Sequence, residues 1–309
     1  MDGILNVDKP AGPTSHDIVA RIRRITGVKR VGHAGTLDPL ATGVLIVCLG
    51  DARRIIEYLG DWRKSYRATA ILGVETNTED ASGEVVGGSD CSRVTRSDVD
   101  AVIPRFVGKI MQVPPMVSAV HHEGRRLYDL AREGRIVERA PRPVQVFSIE
   151  IVSFEPGERA SLVLDVECSG GTYIRTLCAD IGRALGCGAH MSSLVRTAVG
   201  PFRVEDAVTM ETIEDKARSD SLREIVHPIN DALCEMPAVT VSMDDAARVA
   251  QGVILPGDRV IGDGLPSVGI PIRVCDSEGG LVAVGMLRES PGGVELKPEK
   301  VLISTRSRE

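Results

Sequence analysis

The stretch Gly32 to Leu45, GHAGTLDPLATGVL, constrains the fold of this chain more than any other, because it sets a loop and a buried strand back to back. Gly32, Gly35 and Gly43 loosen the backbone on both sides of Asp38 and permit close approach of a large ligand. Pro39 disfavours helical dihedrals at Asp38, so that carboxylate projects from an extended turn. His33 and Thr36 add polar groups nearby. The apolar run GVLIVCLG that follows is short enough for a strand covered on both faces. An isolated Asp-Pro would read as an ordinary connecting turn. Fourteen residues in this order are far more specific.

The rest of the chain supplies partners for that strand. Gly3 to Val7 (GILNV) is a short apolar strand candidate. Thr14 or Ser15 caps a helix with Val19, Ile22 and Ile25 inward, Arg21, Arg23 and Arg24 outward, and Gly27 as its stop. Asp51 caps a short amphipathic helix carrying Ile55, Ile56 and Leu59. Ser65 to Leu72 alternates as a strand does, and Gly73 to Gly83 is a polar, Gly-bounded loop. Helices are predicted near Ser97 to Phe106 and Leu127 to Glu133, and strands over Val144 to Val152 and Ala160 to Cys168. Tyr173 to Leu185 reads as a helix stopped by Gly186. Strands outnumber long helices in irregular order, which predicts an α+β fold with a mixed, mostly antiparallel central sheet flanked by helices. After Pro237 the texture changes. Residues 253–309 are rich in Gly, Pro and Val, with strand-like pieces at Arg273 to Cys275 and Leu281 to Met286, and predict a small β-barrel or sandwich.

Composition sets the functional bounds. With 43% hydrophobic and 26% charged residues among 309, the chain is expected to be an ordinary globular protein. No apolar run approaches the roughly 20 residues of a membrane helix, and the N-terminus lacks the order of a secretory signal. Cys48, Cys91, Cys168, Cys178, Cys187, Cys234 and Cys275 form no CxxC pair and no zinc spacing. They read as reduced, mostly buried thiols, and the expected location is the cytoplasm. His121 and His122 read as loop residues. Net charge is −6, which by itself argues against nucleic acid. The distribution qualifies this: residues 1–70 hold eleven Lys/Arg against seven Asp/Glu, whereas residues 204–235 hold three against nine. A basic face in the N-terminal half is compatible with that pattern.

Four segments carry chemistry-capable side chains: the Asp38 loop, Lys64 to Arg67 (KSYR), Gly171 to Arg175 (GTYIR) and Gly186 to Arg196 (GCGAHMSSLVR). Singly, Tyr66 and Leu194 read as core residues and Arg175 as a solvated helix residue. Together, the pattern resembles the TruB-type tRNA pseudouridine synthases, which isomerise uridine 55 in the TΨC arm and include the dyskerin-like enzymes. The resemblance runs through GILNVDKPAGPTSHDIV, GHAGTLDPLATGVL, KSYRA, LG-x-x-T-x-T-x-D-x-x-G (Leu72 to Gly83), QVPPMVSA, GRRLYDLAREG, GTYIRTL and GCGAH. It implies a catalytic domain over residues 1–235 and a PUA-like RNA-binding barrel over 236–309.

By that resemblance Asp38 is the nucleophile, working without metal or cofactor. One carboxylate suffices, where glycoside hydrolysis wants two. Arg175 resembles the partner that keeps Asp38 ionised by lowering its pKa. Tyr66 resembles the ring that stacks on the target base and handles a proton near C5, with Tyr173 and Leu194 as pocket walls. His33 resembles the residue that fills the space left by the extruded base. Lys9, Lys64 and the Arg21–Arg24 helix are positional candidates for phosphate contacts. The implied partner is tRNA through its TΨC stem-loop, and a monomer is the expected state. Where many relatives carry Lys before GTYIR, this chain has Gly170 and Gly171, a departure that bears on RNA binding. A non-catalytic RNA-binding module using the same pocket is the alternative, but it would not need Asp38, Tyr66 and Arg175 together. An aspartyl-phosphate hydrolase is disfavoured, since no second Asp lies two residues beyond Asp38.

Overall fold

A computed structural model describes residues 1–118, 120–122, 124–135, 137–261 and 264–302. Ala119 of the QVPPMVSA run and residues 303–309 of the C-terminal stretch lie outside the described residues. In chain order the elements are β1 (Gly3–Lys9), α1 (Ser15–Thr26), β2 (Val31–Ala34), β3 (Thr42–Leu49), a 3-10 turn (Gly50–Ile55) running into α2 (Ile56–Leu59), and β4 (Lys64–Leu72). Next come β5 (Glu75–Thr76), β6 (Val85–Gly87), α3 (Arg96–Val102), β7 (Gly108–Gln112), β8 (His121–His122), β9 (Arg125–Arg126) and α4 (Leu127–Arg132). β10 (Arg142–Glu155), β11 (Ser161–Cys168), α5 (Ile174–Ala184), β12 (Ala189–Val199), β13 (Phe202–Arg203), α6 (Met210–Arg218) and α7 (Ile229–Ala232) complete the larger part. β14 (Ala238–Thr240), α8 (Met243–Ala250), β15 (Leu255–Pro256), β16 (Pro271–Cys275), β17 (Leu281–Ser290) and β18 (Gly293–Val301) form the C-terminal part.

The main sheet has nine strands in the order β1-β3-β12-β4-β11-β10-β7, with β2 added to β3 and β13 to β12. Only β3 and β12 pair in parallel, so the sheet is mixed and mostly antiparallel, as the irregular strand order predicts. β3 explains its own apolar run: Leu45, Val47 and Leu49 enter one core, while Val44, Ile46 and Cys48 enter another on the opposite face. A strand covered on both sides has no solvent face to mark with polar residues. On β4 the alternation is clean. Lys64, Tyr66, Ala68, Ala70 and Leu72 are buried, and Arg67 on the other face forks onto Asp165 at 2.8 and 2.6 Å.

Of the two cap candidates it is Thr14 that caps α1, with a reciprocal bond from Asp17. Several other local expectations are corrected. Asp51 does not cap the following turn, whose N-cap is Leu49; its carboxylate pairs with Arg30 at 2.8 Å. The Gly73–Gly83 loop opens a small hairpin of β5 and β6. His121 and His122 pair as β8 with β9 instead of lying in a loop. The thiols are not all reduced: Cys91 and Cys187 form a disulfide with Cα atoms 6.0 Å apart. These residues lie 96 apart in sequence and meet because Ser89 N–H bonds the Cys187 carbonyl at 3.1 Å, a proximity that no spacing rule reads. Cysteine usage therefore no longer speaks for a reducing compartment. Among the described residues, no helix is long and apolar enough to cross a membrane.

The C-terminal sheet runs β14-β16-β17-β18-β15 over its own core of Val239, Val249, Ile272 and Leu296. Val284 and Leu302, however, share a cluster with Ile4, Ile46, Ile55 and Leu59 of the larger part.

Candidate active site

The Asp38 loop is held on both sides by buried polar groups. Arg196 on β12 donates to Gly35 O (3.1 Å) and Thr36 O (3.4 Å) ahead of Asp38 and to Val44 O (2.7 Å) beyond it, and it is only 1% exposed. Leu37 is pinned by a two-way exchange with the Ser15 hydroxyl at 2.9 and 3.1 Å. Beyond Asp38, Lys9 gives its ammonium protons to Pro10 O (3.0 Å), Pro39 O (3.2 Å) and Ala41 O (2.7 Å). Gly43 is required by packing, since a Cβ there would stand 2.3 Å from the Arg196 carbonyl. The loop thus presents one carboxylate from a backbone that has little freedom left.

Arg175 meets that carboxylate from the first turn of α5. Its Nε and Nη2 lie 2.9 and 3.2 Å from the two Asp38 oxygens, a bidentate fork, and the guanidinium is 4% exposed. A cation in the first turn opposes the helix dipole, so other anions and carbonyls must hold it. Asp80 approaches Nη1 at 3.4 Å, Thr78 O accepts at 3.3 Å and Val117 O at 2.9 Å. Asp80 itself accepts from Thr78 Oγ1 (2.8 Å) and Ser82 N (2.9 Å), and the preceding Glu79 sits in the left-handed region at φ 63°. Gln112 fixes the start of α5 by exchanging both amide bonds with Tyr173, at 3.0 and 3.2 Å.

Asp38, Lys64, Tyr66, Tyr173, Arg175 and Leu194 line one cavity of about 260 Å³, with Arg196, Ser118 and Thr172 among the other walls. Lys64 and Tyr66 face it together because they are two apart on β4. Tyr66 lies opposite Arg196 in the β4–β12 register, where β12 is bulged just beyond. Burial pushes the Tyr66 phenol above its ordinary pKa, with the Arg196 charge pulling the other way. Burial also lowers Lys64 to about 8, and its ammonium donates to Gly60 O (2.8 Å) and Trp62 O (2.9 Å). The expectation that Arg175 holds the Asp38 pKa down is corrected in its net direction. Burial raises that carboxyl more than Arg175 lowers it, and the Asp80 charge raises it further.

Two candidates stand outside the cavity. Lys9 is fully buried and spends its ammonium on three carbonyls, so it braces the loop and does not reach out to a phosphate. His33 packs edge-on against His16, with ring centroids 5.3 Å apart, and burial brings it down to about 4, which keeps it neutral. Of the α1 arginines, Arg21 pairs with Glu214 at 2.7 Å and Arg23 donates to Val31 O at 3.3 Å. Gly170 has a packing reason, since a Cβ there would stand 2.2 Å from Gly60 O and 3.2 Å from the Lys64 ammonium. Among the described residues no group of three or more His, Cys, Asp or Glu is placed to hold a metal.

Arg196 and Asp80 were not singled out by sequence reasoning. The signal for Arg196 was the cation two residues past Leu194 in the GCGAHMSSLVR segment, and for Asp80 the carboxylate inside the Leu72–Gly83 motif.

Comparisons with known proteins point to one family. Residues 23–174 match the TruB family pseudouridylate synthase N-terminal domain, and residues 175–234 the tRNA pseudouridylate synthase B C-terminal domain. A tRNA pseudouridine synthase B of Symbiobacterium thermophilum is 52% identical over 254 residues, 82% of this chain and 83% of that protein. The protein of the same name from Moorella thermoacetica is 45% identical over 97% of this chain and 99% of its own length. An H/ACA ribonucleoprotein bound to a substrate RNA containing 2′-deoxyuridine holds a chain that superposes with a TM-score of 0.76 at 29% identity, covering 98% of this chain and 85% of that one.

Proposed function

The chain belongs to the TruB family of pseudouridylate synthases, and we propose that it isomerises uridine 55 in the TΨC arm of tRNA with Asp38 as nucleophile. The observation that carries this reading is the bidentate Asp38–Arg175 pair in a half-open cavity of single-base size that Tyr66 also lines. At about 260 Å³ the cavity falls below the range of drug-sized pockets, which suits one base and not a stretch of chain.

The reaction breaks the N1–C1′ bond of uridine, turns the uracil within the cavity, joins C5 to C1′ and releases the C5 proton, while N1 takes up a proton from solvent. Asp38 would serve through a transient bond to the sugar or through a glycal. Arg175 orients the carboxylate with two bonds, so that one lone pair faces the ribose. Extruding the base costs a few kcal/mol, and stacking on Tyr66 returns about 1–3 kcal/mol. Because burial keeps Tyr66 a neutral phenol, its oxygen would take the C5 proton only as the hydroxyl gives its own proton to solvent in the half-open cavity. Tyr173 and Leu194 confine the turning base, and Lys64 offers its ammonium at the cavity wall. His33, on the strand entering the loop, fills the stack that the base leaves.

In the same reading residues 1–235 form the catalytic domain, residues 236–309 a PUA-like part that lies along the tRNA, and the protein works as a cytoplasmic monomer. The test is tritium release from C5-labelled uridine in tRNA transcripts, with pseudouridine mapped at single-nucleotide resolution. Wild-type protein should release tritium at one position, and Asp38→Asn should release none while still binding tRNA. Binding without release by the wild type would leave a non-catalytic RNA-binding protein.

A further inference from the structure

The charges lining the cavity do not balance: among the described residues Asp38 is the carboxylate, against Lys64, Arg175 and Arg196. Arg175 is matched by Asp38 and Asp80. Lys64 and Arg196 are 6% and 1% exposed, and among the described residues neither forms an ion pair. Their bonds go to neutral carbonyls, Lys64 to Gly60 and Trp62, Arg196 to Gly35, Thr36 and Val44. Each has more N–H donors than those carbonyls use. The two cations are also close together. A Cβ at Gly35 would stand 3.5 Å from Arg196 Nη1 and 3.6 Å from Lys64 Cε. The Arg196 charge adds to burial in bringing Lys64 down to about 8, which still leaves it mostly protonated at neutral pH.

Two like charges buried without an anion are costly. Neutral uridine brings no anion to them, but its rearrangement creates one. We propose that Lys64 and Arg196 stabilise the negative charge on the uracil once its bond to the ribose has broken, so that the cavity is a site for a uracil anion. This rests on the function proposed above. The N1–C1′ bond breaks with both electrons passing to the ring, while the Asp38 carboxylate bonds C1′ or takes a proton from C2′. Charge thus moves from Asp38 onto the base, spread over N1 and the two carbonyl oxygens. When C5 joins C1′, Asp38 gives up C1′ or returns the C2′ proton, and its carboxylate is restored. The base then loses its C5 proton and gains one on N1. Fixed cations in a water-poor cavity act on the charge that develops and little on the neutral ground state, so their contribution reads in the chemical step and not in binding.

The experiment compares the full chain on two TΨC stem-loops, one with uridine and one with 5-fluorouridine at the target position. Single-turnover loss of the parent nucleoside is read by chromatography of the digested RNA, so the missing C5 proton does not enter. Fluorine makes the departing ring more acidic, and the ring then depends less on outside cations. Lys64→Met should slow the uridine substrate about 100-fold and the 5-fluorouridine substrate distinctly less. Lys64→Arg keeps the charge and should keep the wild-type ratio of the two rates, whatever its absolute rate. Leu194→Ala removes a wall without changing charge and should slow both substrates alike. Each ratio is taken on one preparation, so loss of folded protein cancels. Equal deficits of Lys64→Met on the two substrates overturn the inference and leave Lys64 as a brace for the Gly60 and Trp62 carbonyls. A wild type that rearranges neither substrate overturns it together with the function on which it rests.

Discussion

The Asp38 loop and the C-terminal sheet are held in place by opposite means. Around the loop, polar groups do the fixing: Lys9, Ser15 and Arg196 reach the carbonyls or amides of Gly35, Thr36, Leu37, Pro39 and Ala41. The C-terminal sheet is fixed by apolar contact, with Val284 and Leu302 inside the cluster of Ile4, Ile46, Ile55 and Leu59. Its polar links, Lys300 to Glu57 and Arg273 to Met236 O and Asn230, sit at the edges. Hydrogen bonds are directional and apolar contact is not. One region therefore sets the position of an atom, and the other holds mass together.

The largest test of that contrast is truncation after Pro237. The sequence suggests that the body would stand alone, yet its second core crosses the break. Removing Val284, Leu302 and the half-buried Leu281 exposes their partners, at about 1.5–3 kcal/mol for each fully buried side chain. The melting temperature should drop by more than about 10 °C, given roughly 2–4 °C per kcal/mol at this size. Calorimetry and gel filtration decide it. An unchanged melting point, with isomerisation of a stem-loop retained, would make the sheet a detachable module.

A matched pair of substitutions separates position from mass. Lys9→Met leaves the Pro39 and Ala41 carbonyls without their donor, costing about 2–4 kcal/mol. Leu302→Ala costs a similar 2–4 kcal/mol through its cavity. Lys9→Met should also lower kcat by at least about ten-fold, since a displaced carboxylate reacts poorly. Leu302→Ala should leave kcat within about two-fold. Equal kcat for the two variants would break the comparison.

The same contrast governs what the sequence discloses. The Asp38 loop was legible because its demands on the backbone leave marks: glycine at close approaches, proline after the carboxylate. Five of the seven companion candidates of Asp38 reach one cavity, most of them for the simple reason that β4 alternates and α5 starts at its own motif. Lys9 misled, because a lysine beside a loop looks the same in sequence whether its ammonium meets a phosphate or three carbonyls. Arg196 and Asp80 were obscured because their value lies in partners more than ninety residues distant. β12 and β7 were missed for a related reason. β12 is bulged at two places and interrupted by Ser192 and Ser193, which breaks the alternation that marks a strand. The seam is the least legible of all, since an inward Val or Leu says nothing about which core it enters.

The smallest effect, and the sharpest, is on the acid limb of the pH profile. Asp38 acts as a carboxylate, so activity falls as pH drops through its pKa. Burial raises that pKa, Arg175 and Lys9 lower it, and Asp80 raises it. The acid limb of kcat/KM should accordingly inflect above the ordinary range of an aspartate. Asp80→Asn keeps the shape of the side chain and removes its charge, which takes away one of the raising causes. Its limb should move to lower pH, even though the plateau falls because Arg175 loses an anionic partner. Lys9→Met removes a lowering cause, and its limb should move the other way. Opposite displacements of the two limbs are a readout that general destabilisation does not produce, since unfolding would steepen both on the same side. If Asp80→Asn moves the limb upward or leaves it in place, Asp80 does not act on Asp38 through its charge, and the buried carboxylate only holds Arg175 in position.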